Sequence, residues 1–571
     1  MVGLATVFGA GGGTSSYAEV EDTDVIVMWG SNAREAHPIF FHHVLKAIRK
    51  GAKMFVVDPR RTSSAQWGDV WLGLNVGTDI ALSNTIAREI IHAGLANTDF
   101  IGRATSGFEE YRASVEEWTL ERGAAVTGVP AEAIRELAHT YARADRAQIC
   151  WTLGITEHHN AVDNVLCLIN LGLLCGHVGR YGSGLNPLRG QNNVQGGGDM
   201  GAIPNRLAGF QDILDPAVRE KFGRAWGVTI QDSYGMHLTE MFEAMGRGDL
   251  TGVYVIGENP AQSEADGTHA VELLKGLDHL VVQDIFLTRT AELASVVLPG
   301  SASWCEGEGT VTNSERRVQR TRKALNPPDG ARDDIEIIAD MCRRLGHDWG
   351  YAQSPFGASE AIWNEVRSLS PMHAGMSYAR LADLGGIQWP CPNEDSLEPS
   401  FLHGRLWADR LEDRGRLAPF SVVIDDPPVD TCTEEFPLRL TTGRRLDSYN
   451  TGVQSGGFKS PLRFGETIDI SPEEAVQLDL VDGERVRVVS RRGAVHAPVR
   501  IDRGLRPGLV FMTFHFPDEV DTNALTIEAT DPKSGTAEFK AAAVRVEKLH
   551  GADYTASDFD DIASPTLVAG E

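Results

Sequence analysis

Basic charge, clustered cysteine and long apolar runs are all in short supply in this 571-residue chain, and each shortage removes a class of protein. Lysine and arginine number 53 against 79 aspartates and glutamates, a formal net charge of −26. A surface of that sign repels nucleic acid and anionic membranes, so neither is expected as a partner. The seven cysteines, Cys150, Cys167, Cys175, Cys305, Cys342, Cys391 and Cys432, include no Cys-x-x-Cys pair. Their scatter argues against an iron–sulfur cluster held by this chain alone and against a disulfide framework, and it suits buried thiols in a cytoplasmic protein. No apolar run reaches transmembrane length, and the apolar opening from Met1 to Gly13 lacks the basic region of a signal peptide. Membrane insertion is therefore not expected. Missing too is a Gly-x-Gly-x-x-Gly turn directly after a strand, since the glycine run from Gly9 to Gly13 precedes its nearest convincing strand. That counts against an ordinary NAD-dependent dehydrogenase.

What is present is 42% hydrophobic residues over a length sufficient for about three domains. Asp24 to Trp29 reads as a buried strand, Pro38 to Lys50 as an apolar-periodic helix, and Lys53 to Val57 as a second strand ending at Asp58. A third strand near Val70 to Leu74 leads to Gly77, Thr78 and Asp79, which open another helix. The same grammar returns later. Strand Gly252 to Ile256 is followed by Gly257 and Asn259, a helix near His269 to Leu274, strand His279 to Val282 with Gln283 and Asp284, and strand Ala294 to Leu298. Two βαβ halves of dinucleotide-binding type are expected, each with a glycine able to approach a phosphate and a strand-end carboxylate able to take ribose or base hydrogen bonds. Residues 371–415, rich in Pro, Gly and Trp, read as linking structure. Beyond Leu438, short strands and turns at Asp482-Gly483, Arg492-Gly493 and Pro507-Gly508 read as a barrel-like β domain, with Ser471 to Glu474 as a capping box.

The densest concentration of site-like chemistry is the loop Arg189 to Gly201, with five glycines in thirteen residues. Gln191, Asn192, Asn193 and Gln195 offer paired donors and acceptors suited to a heterocycle, and Arg189 offers a planar fork for a small carboxylate or phosphate.

The run NPLRGQNNVQGGGDMG, residues 186–201, closely resembles the segment around the substrate arginine of the molybdenum- or tungsten-dependent formate dehydrogenases, which belong to the bis-pterin (DMSO reductase) family of oxidoreductases. The likeness runs in the same order and spacing from about Gly3 to Glu547, and includes FMTFHF at Phe511 to Phe516 and TAEFK ending at Lys540. It implies an α/β fold of two Rossmann-like parallel-sheet domains related by a pseudo-repeat, plus a C-terminal six-stranded double-psi-type β-barrel. The implied division is a first dinucleotide-fold domain over 1–188, a second carrying the substrate loop over 189–425, a pterin-dinucleotide barrel over 430–550, and an acidic tail over 551–571. It also implies bis-molybdopterin guanine dinucleotide with molybdenum or tungsten as cofactor. Gly30, Asn32, Glu35, Asp58, Arg60, Gly77 and Asp79 would surround the first guanosine and its phosphates, and Gly257, Asn259, Gln283, Asp284 and Asp334 the second. Thr442, Gly443 and Arg444 would meet pterin or phosphate, Lys540 and Gln191 a pterin, and Arg189 would orient formate. His37, His158 and His159 read as packing residues and are left out of catalysis.

The family's metal-ligating cysteine or selenocysteine, the histidine after it, and the upstream [4Fe-4S] region with its lysine would all precede Met1. The chain is accordingly expected to be truncated, to have no metal ligand of its own, to expose apolar surface, and to need an N-terminal cluster domain or electron-transfer subunit as partner. At Asp447 to Asn450, relatives often carry one or two histidines. An alternative is a non-redox remnant or carrier that binds the pterin dinucleotide.

Overall fold

The computed structural model describes residues 1–351, 354, 357–396, 402, 417–446, 448–451 and 465–550. The tail 551–571, Asp447 and part of the expected linker lie outside the described residues. The first unit is an open parallel sheet. Strand β1 (Val25–Trp29) is followed by α1 (Pro38–Arg49), β2 (Lys53–Val57), β3 (Val70–Leu72), α2 (Asp79–His92), β4 (Ala147–Trp151), α3 (Ala161–Cys175) and β5 (Gly184–Pro187). The strand order is β3-β2-β1-β4-β5. All five residues of β1 are buried, as a central parallel strand covered on both faces requires. Every residue of α3 except Asp163 is buried too, so this helix, apolar all round, is part of the core instead of its cover. Gly176 ends it in the left-handed region at φ 69.

After the six-residue helix α4 (Val194–Asp199), the second unit repeats the first at reduced size. It contains β6 (Gly252–Ile256), α5 (Gly267–Lys275), β7 (His279–Asp284) and β8 (Val296–Pro299), in the order β8-β7-β6. Trp29 pairs with Val57, which pairs with Leu72; Ile256 pairs with Gln283, which pairs with Leu298. The equivalence reaches single atoms. Asn32 Oδ1 accepts from the Ser64 amide and hydroxyl at 3.1 and 2.9 Å, and Asn259 Oδ1 accepts from the Thr290 amide and hydroxyl at 3.2 and 2.7 Å. The hydroxyls in turn accept from the amides of Arg34 and Ala261, both at 3.0 Å. Each asparagine therefore ties the loop after the unit's first strand to the segment following its second. Removing the side chain from Asn259 strands two donors of the fully buried Thr290. Asn259→Ala is expected to lower stability by roughly 1–3 kcal/mol, read as a fall in the urea midpoint. Ile256, Ile285, Phe286, Leu287, Val296 and Val297 of the second unit are exposed, in contrast to the covered first sheet.

A hairpin of β9 (Gly309–Thr312) and β10 (Arg317–Thr321) interrupts the second unit before α6 (Asp334–Arg344). Strand β11 (Ile387–Gln388) joins the hairpin sheet by pairing with β10. Residues 371–396 therefore do more than link. Met376, Tyr378, Leu381 and Trp389 form a buried cluster with Trp363 and Val318, the aromatic content serving as core. Ala418 and Pro419 pair with Thr105 and Ser106, and Phe420 and Val423 enter the core of the first unit.

The C-terminal strands are β12 (Leu438–Gly443), β13 (Ile468–Ile470), β14 (Arg485–Ser490), β15 (Ala494–Ile501), β16 (Leu509–Thr513) and β17 (Ala542–Lys548). They close into a six-stranded barrel in the order β12-β16-β13-β15-β14-β17, which leaves no free edge. Ser471 caps the short helix Pro472–Gln477 that follows β13 by accepting from the Glu474 amide at 3.1 Å.

Candidate cofactor and substrate site

In an open parallel sheet, ligands settle outside the carboxyl ends of the strands where the strand order reverses, here between β1 and β4. The loops leaving these two strands cross at Gly30 and Gly154. A Cβ on Gly30 would lie 2.8 Å from the Gly154 carbonyl carbon, and Gly30 also has φ 55. Glycine is thus required by backbone crossing, a reason different from the phosphate approach expected from its position. Over this crossing the barrel contributes residues 441–446, 448–451 and 515–519 together with Lys540, enclosing a cavity of about 760 Å³.

Twelve of the expected residues line that one cavity: Gly30, Asn32, Glu35, Asp58, Arg60, Gly77, Asp79, Gln191, Thr442, Gly443, Arg444 and Lys540. They come from widely separated stretches of the chain. The Arg60 guanidinium carbon sits 3.5 Å from the centre of the Phe511 ring. Arg445 is clamped from behind, its Nη2 donating to both Asp469 oxygens at 2.7 and 2.9 Å. Arg444 Nη1 and Arg445 Nε and Nη1 are buried and meet no acceptor among the described residues. Buried donors without acceptors are costly, and a phosphate oxygen is their natural complement. In the same lining, burial pushes the Asp58 carboxyl up to about 6 and raises that of Asp79, whose Oδ1 accepts from Trp29 Nε1 at 2.8 Å. Carboxylates there suit the donor edge of a purine or a ribose hydroxyl. The residues present therefore fit an anionic dinucleotide.

Glu157, His158 and Glu538, none of them expected in the site from sequence, complete and back this wall. Lys540 Nζ lies 2.7 Å from Glu157 Oε2 and donates to the Thr442 carbonyl at 3.0 Å, and burial lowers its pKa. His158 lines the cavity with its Nδ1 3.3 Å from Glu538 Oε2. Burial opposes its protonation, but the Glu538 carboxylate outweighs burial and the pKa of His158 is raised. His159, left outside the cavity, also meets Glu538, at 3.3 Å. No spacing in the sequence announces a carboxylate so far downstream of this histidine pair. His37, set aside at the sequence level, lines the same cavity, and its Nε2 donates to the Arg189 carbonyl at 2.8 Å. Burial depresses its pKa, so it is a neutral imidazole.

Leu188, Gly190 and Gln191 line the cavity, whereas Arg189, between them in the chain, is not among its lining residues and turns its guanidinium to Gly11 and Gln195. Its Nη2 donates to the Gly11 carbonyl at 2.7 Å and its Nε to Gln195 Oε1 at 3.1 Å. Burial pushes Arg189 down to about 10, which still leaves it cationic near neutral pH. Its Nη1 makes no hydrogen bond among the described residues.

Gly257, Asn259, Gln283, Asp284 and Asp334 gather at the carboxyl ends of β6 and β7 and lie outside this cavity. Gln283 donates to Asp334 at 2.6 Å, and Gly257, with φ 63, has open space where a Cβ would be. Burial raises the carboxyls of Glu258, Asp284 and Asp334.

A switch-point crevice lined by cations and carboxylates and roofed by a closed barrel defines a protein that holds a dinucleotide-type cofactor between domains. A family model described as molybdopterin oxidoreductase matches residues 6–344, and one described as molydopterin dinucleotide binding domain matches residues 438–543. The chain belongs to the molybdopterin oxidoreductase family. It is similar to the F420-dependent formate dehydrogenase 2 subunit alpha of Methanococcus maripaludis, at 40% identity over 96% of this chain and 80% of that protein. Similarity to formate dehydrogenase H of Escherichia coli is 35% identity over 96% and 76%, and to the assimilatory nitrate reductase catalytic subunit of Bacillus subtilis 33% over 94% and 76%. Acetylene hydratase from Pelobacter acetylenicus shares the fold, with a TM-score of 0.73 at 20% identity over 96% of this chain and 80% of that one. Membership brings bis-molybdopterin guanine dinucleotide with molybdenum or tungsten as the cofactor. No helix among the described residues is long and apolar enough to cross a membrane.

Proposed function

We propose that the chain is the catalytic subunit of a formate dehydrogenase, oxidising formate to carbon dioxide, a proton and two electrons. The observation that carries this reading is Arg189, a cation with two of its nitrogens anchored and Nη1 without a hydrogen bond among the described residues, in the loop whose Gly190 and Gln191 line the cavity. Nη1 and the charge hold the formate carboxylate in one orientation, and carbon dioxide, which is neutral, loses that attraction and departs. The bound cofactor supplies two-electron redox chemistry at its metal. Arg60, Arg444, Arg445 and Lys540 hold the anionic part of one dinucleotide, with Asp58 and Asp79 on its nucleoside end. Gly257, Asn259, Gln283, Asp284 and Asp334 serve the second dinucleotide from the equivalent strand ends of the other unit. The electrons leave through a redox centre on a cluster domain or electron-transfer partner. The neutral His37 fixes the Arg189 backbone without adding a charge that competes for formate.

A nitrate reductase subunit stands among the relatives, so substrate choice is the discriminating test. The holoenzyme is assayed for formate-driven reduction of an artificial dye and for nitrate-driven oxidation of the reduced dye. Formate turnover supports the reading; nitrate turnover with none on formate overturns it.

A further inference from the structure

Gln195 and Asp199 stand one helical turn apart on α4, so both face the same way, and both are almost fully buried. Gln195 Oε1 accepts from Arg189 Nε at 3.1 Å, and Gln195 Nε2 donates to Asp199 Oδ1 at 2.8 Å. Asp199 Oδ2 accepts from Trp389 Nε1 at 2.8 Å. The polarity of this chain is forced. An arginine Nε and an indole nitrogen can only donate, and a carboxylate can only accept, so the amide between them has one allowed orientation. The local backbone is built for the contact: Asn193 opens α4 at φ 65, and a Cβ on Gly196 would fall 1.9 Å from Asn193 Oδ1.

We propose that Asp199 is a positioning residue for Arg189: by fixing which end of the Gln195 amide faces the guanidinium, it leaves Nη1 turned to the substrate carboxylate. The proposal deepens the formate reading above and rests on it for the identity of the substrate. With the carboxylate replaced by an amide, Gln195 is free to turn over, its NH2 then opposes the Arg189 Nε–H, and the fork is released. Burial pushes the Asp199 carboxyl up to about 7, against the hydrogen bonds of Gln195 and Trp389 and the facing charges of Arg189 and Arg316. Protonation turns an acceptor into a donor, so KM for formate rises as the pH falls below about 7.

The test is Asp199→Asn and the double exchange Gln195→Glu with Asp199→Asn, both as holoenzymes. In the double variant the new carboxylate accepts from Arg189 and from the amide introduced at position 199, whose oxygen accepts from Trp389, so every bond is restored with the charge moved to the neighbouring side chain. The single variant is expected to raise KM for formate roughly tenfold or more with kcat changed only a few-fold, and to lose the acid limb of the KM profile. Its crystal structure should show the Arg189–Gln195 bond broken. The double variant should return KM to within about threefold of the parent. An unchanged KM with the guanidinium in place, or a double variant as impaired as the single one, overturns the proposal; should the single variant not fold, the double variant and its structure decide. Absence of formate turnover in the parent enzyme would defeat the functional reading alone, because guanidinium position is measured independently of substrate.

Discussion

Arg189→Lys lowers kcat/KM for formate by about 10²–10⁴-fold while leaving pterin and metal content unchanged. Lysine keeps the charge but not the fork. The parent guanidinium spends Nε on Gln195 and Nη2 on Gly11, and these two bonds aim the third nitrogen. An ammonium group has one nitrogen for all three tasks, so either it stays with the protein acceptors or it follows the substrate. Arg189→Ala should fall lower still and should be partly rescued by added guanidinium ion, which separates loss of the cation from collapse of the loop. Steady-state kinetics on cofactor-loaded enzyme gives the answer, and a variant with parental kcat/KM would remove Arg189 from the site.

The second large effect is on stability. Asp469→Ala should cost roughly 3–5 kcal/mol, seen as a lowered urea midpoint, and should also reduce retained pterin. Asp469 lies on β13 with no exposed surface and accepts from Arg445, from Arg500 Nε at 3.0 Å and from the Thr467 hydroxyl at 2.8 Å. Truncation leaves the buried Arg445 guanidinium with only the Thr467 hydroxyl as an acceptor for Nη2, while its own Nε and Nη1 already lack acceptors among the described residues. Because Arg445 also lines the cavity, the same change should weaken its hold on phosphate. Asp469→Asn, which keeps the shape and one acceptor oxygen, should be milder in both respects. Equal stability of the alanine variant and the parent would show that the network carries no net energy.

Elements governed by local pattern were legible in the sequence. Strand Gly252–Ile256 coincides with its expected span, and the Gly-x-Asn repeat foretold two equivalent units. Its physical meaning was not legible: Asn32 and Asn259 spend their acceptor oxygens bracing loops, and Gly30 answers to Gly154 on another strand's loop. These depend on the crossing of segments that sequence order keeps apart. The same reason hid Glu538 from His158 and Trp389 from Asp199. Within the Pro-, Gly- and Trp-rich stretch, composition signals turns, but among its described residues 371–396 the buried Tyr378 and Trp389 belong to a core. Family resemblance supplied Arg60, Asp79 and Lys540; chemistry alone would have nominated many other Asp and Arg residues.

The central claim is that the cavity between the first sheet and the barrel holds one pterin dinucleotide within reach of the Arg189 loop. The structure of the cofactor-loaded enzyme tests it most directly. The account predicts phosphate oxygens within hydrogen-bonding distance of Arg60, Arg444 or Arg445, and a pterin beside Gln191. Both dinucleotides bound elsewhere, with these arginines facing solvent, would contradict it.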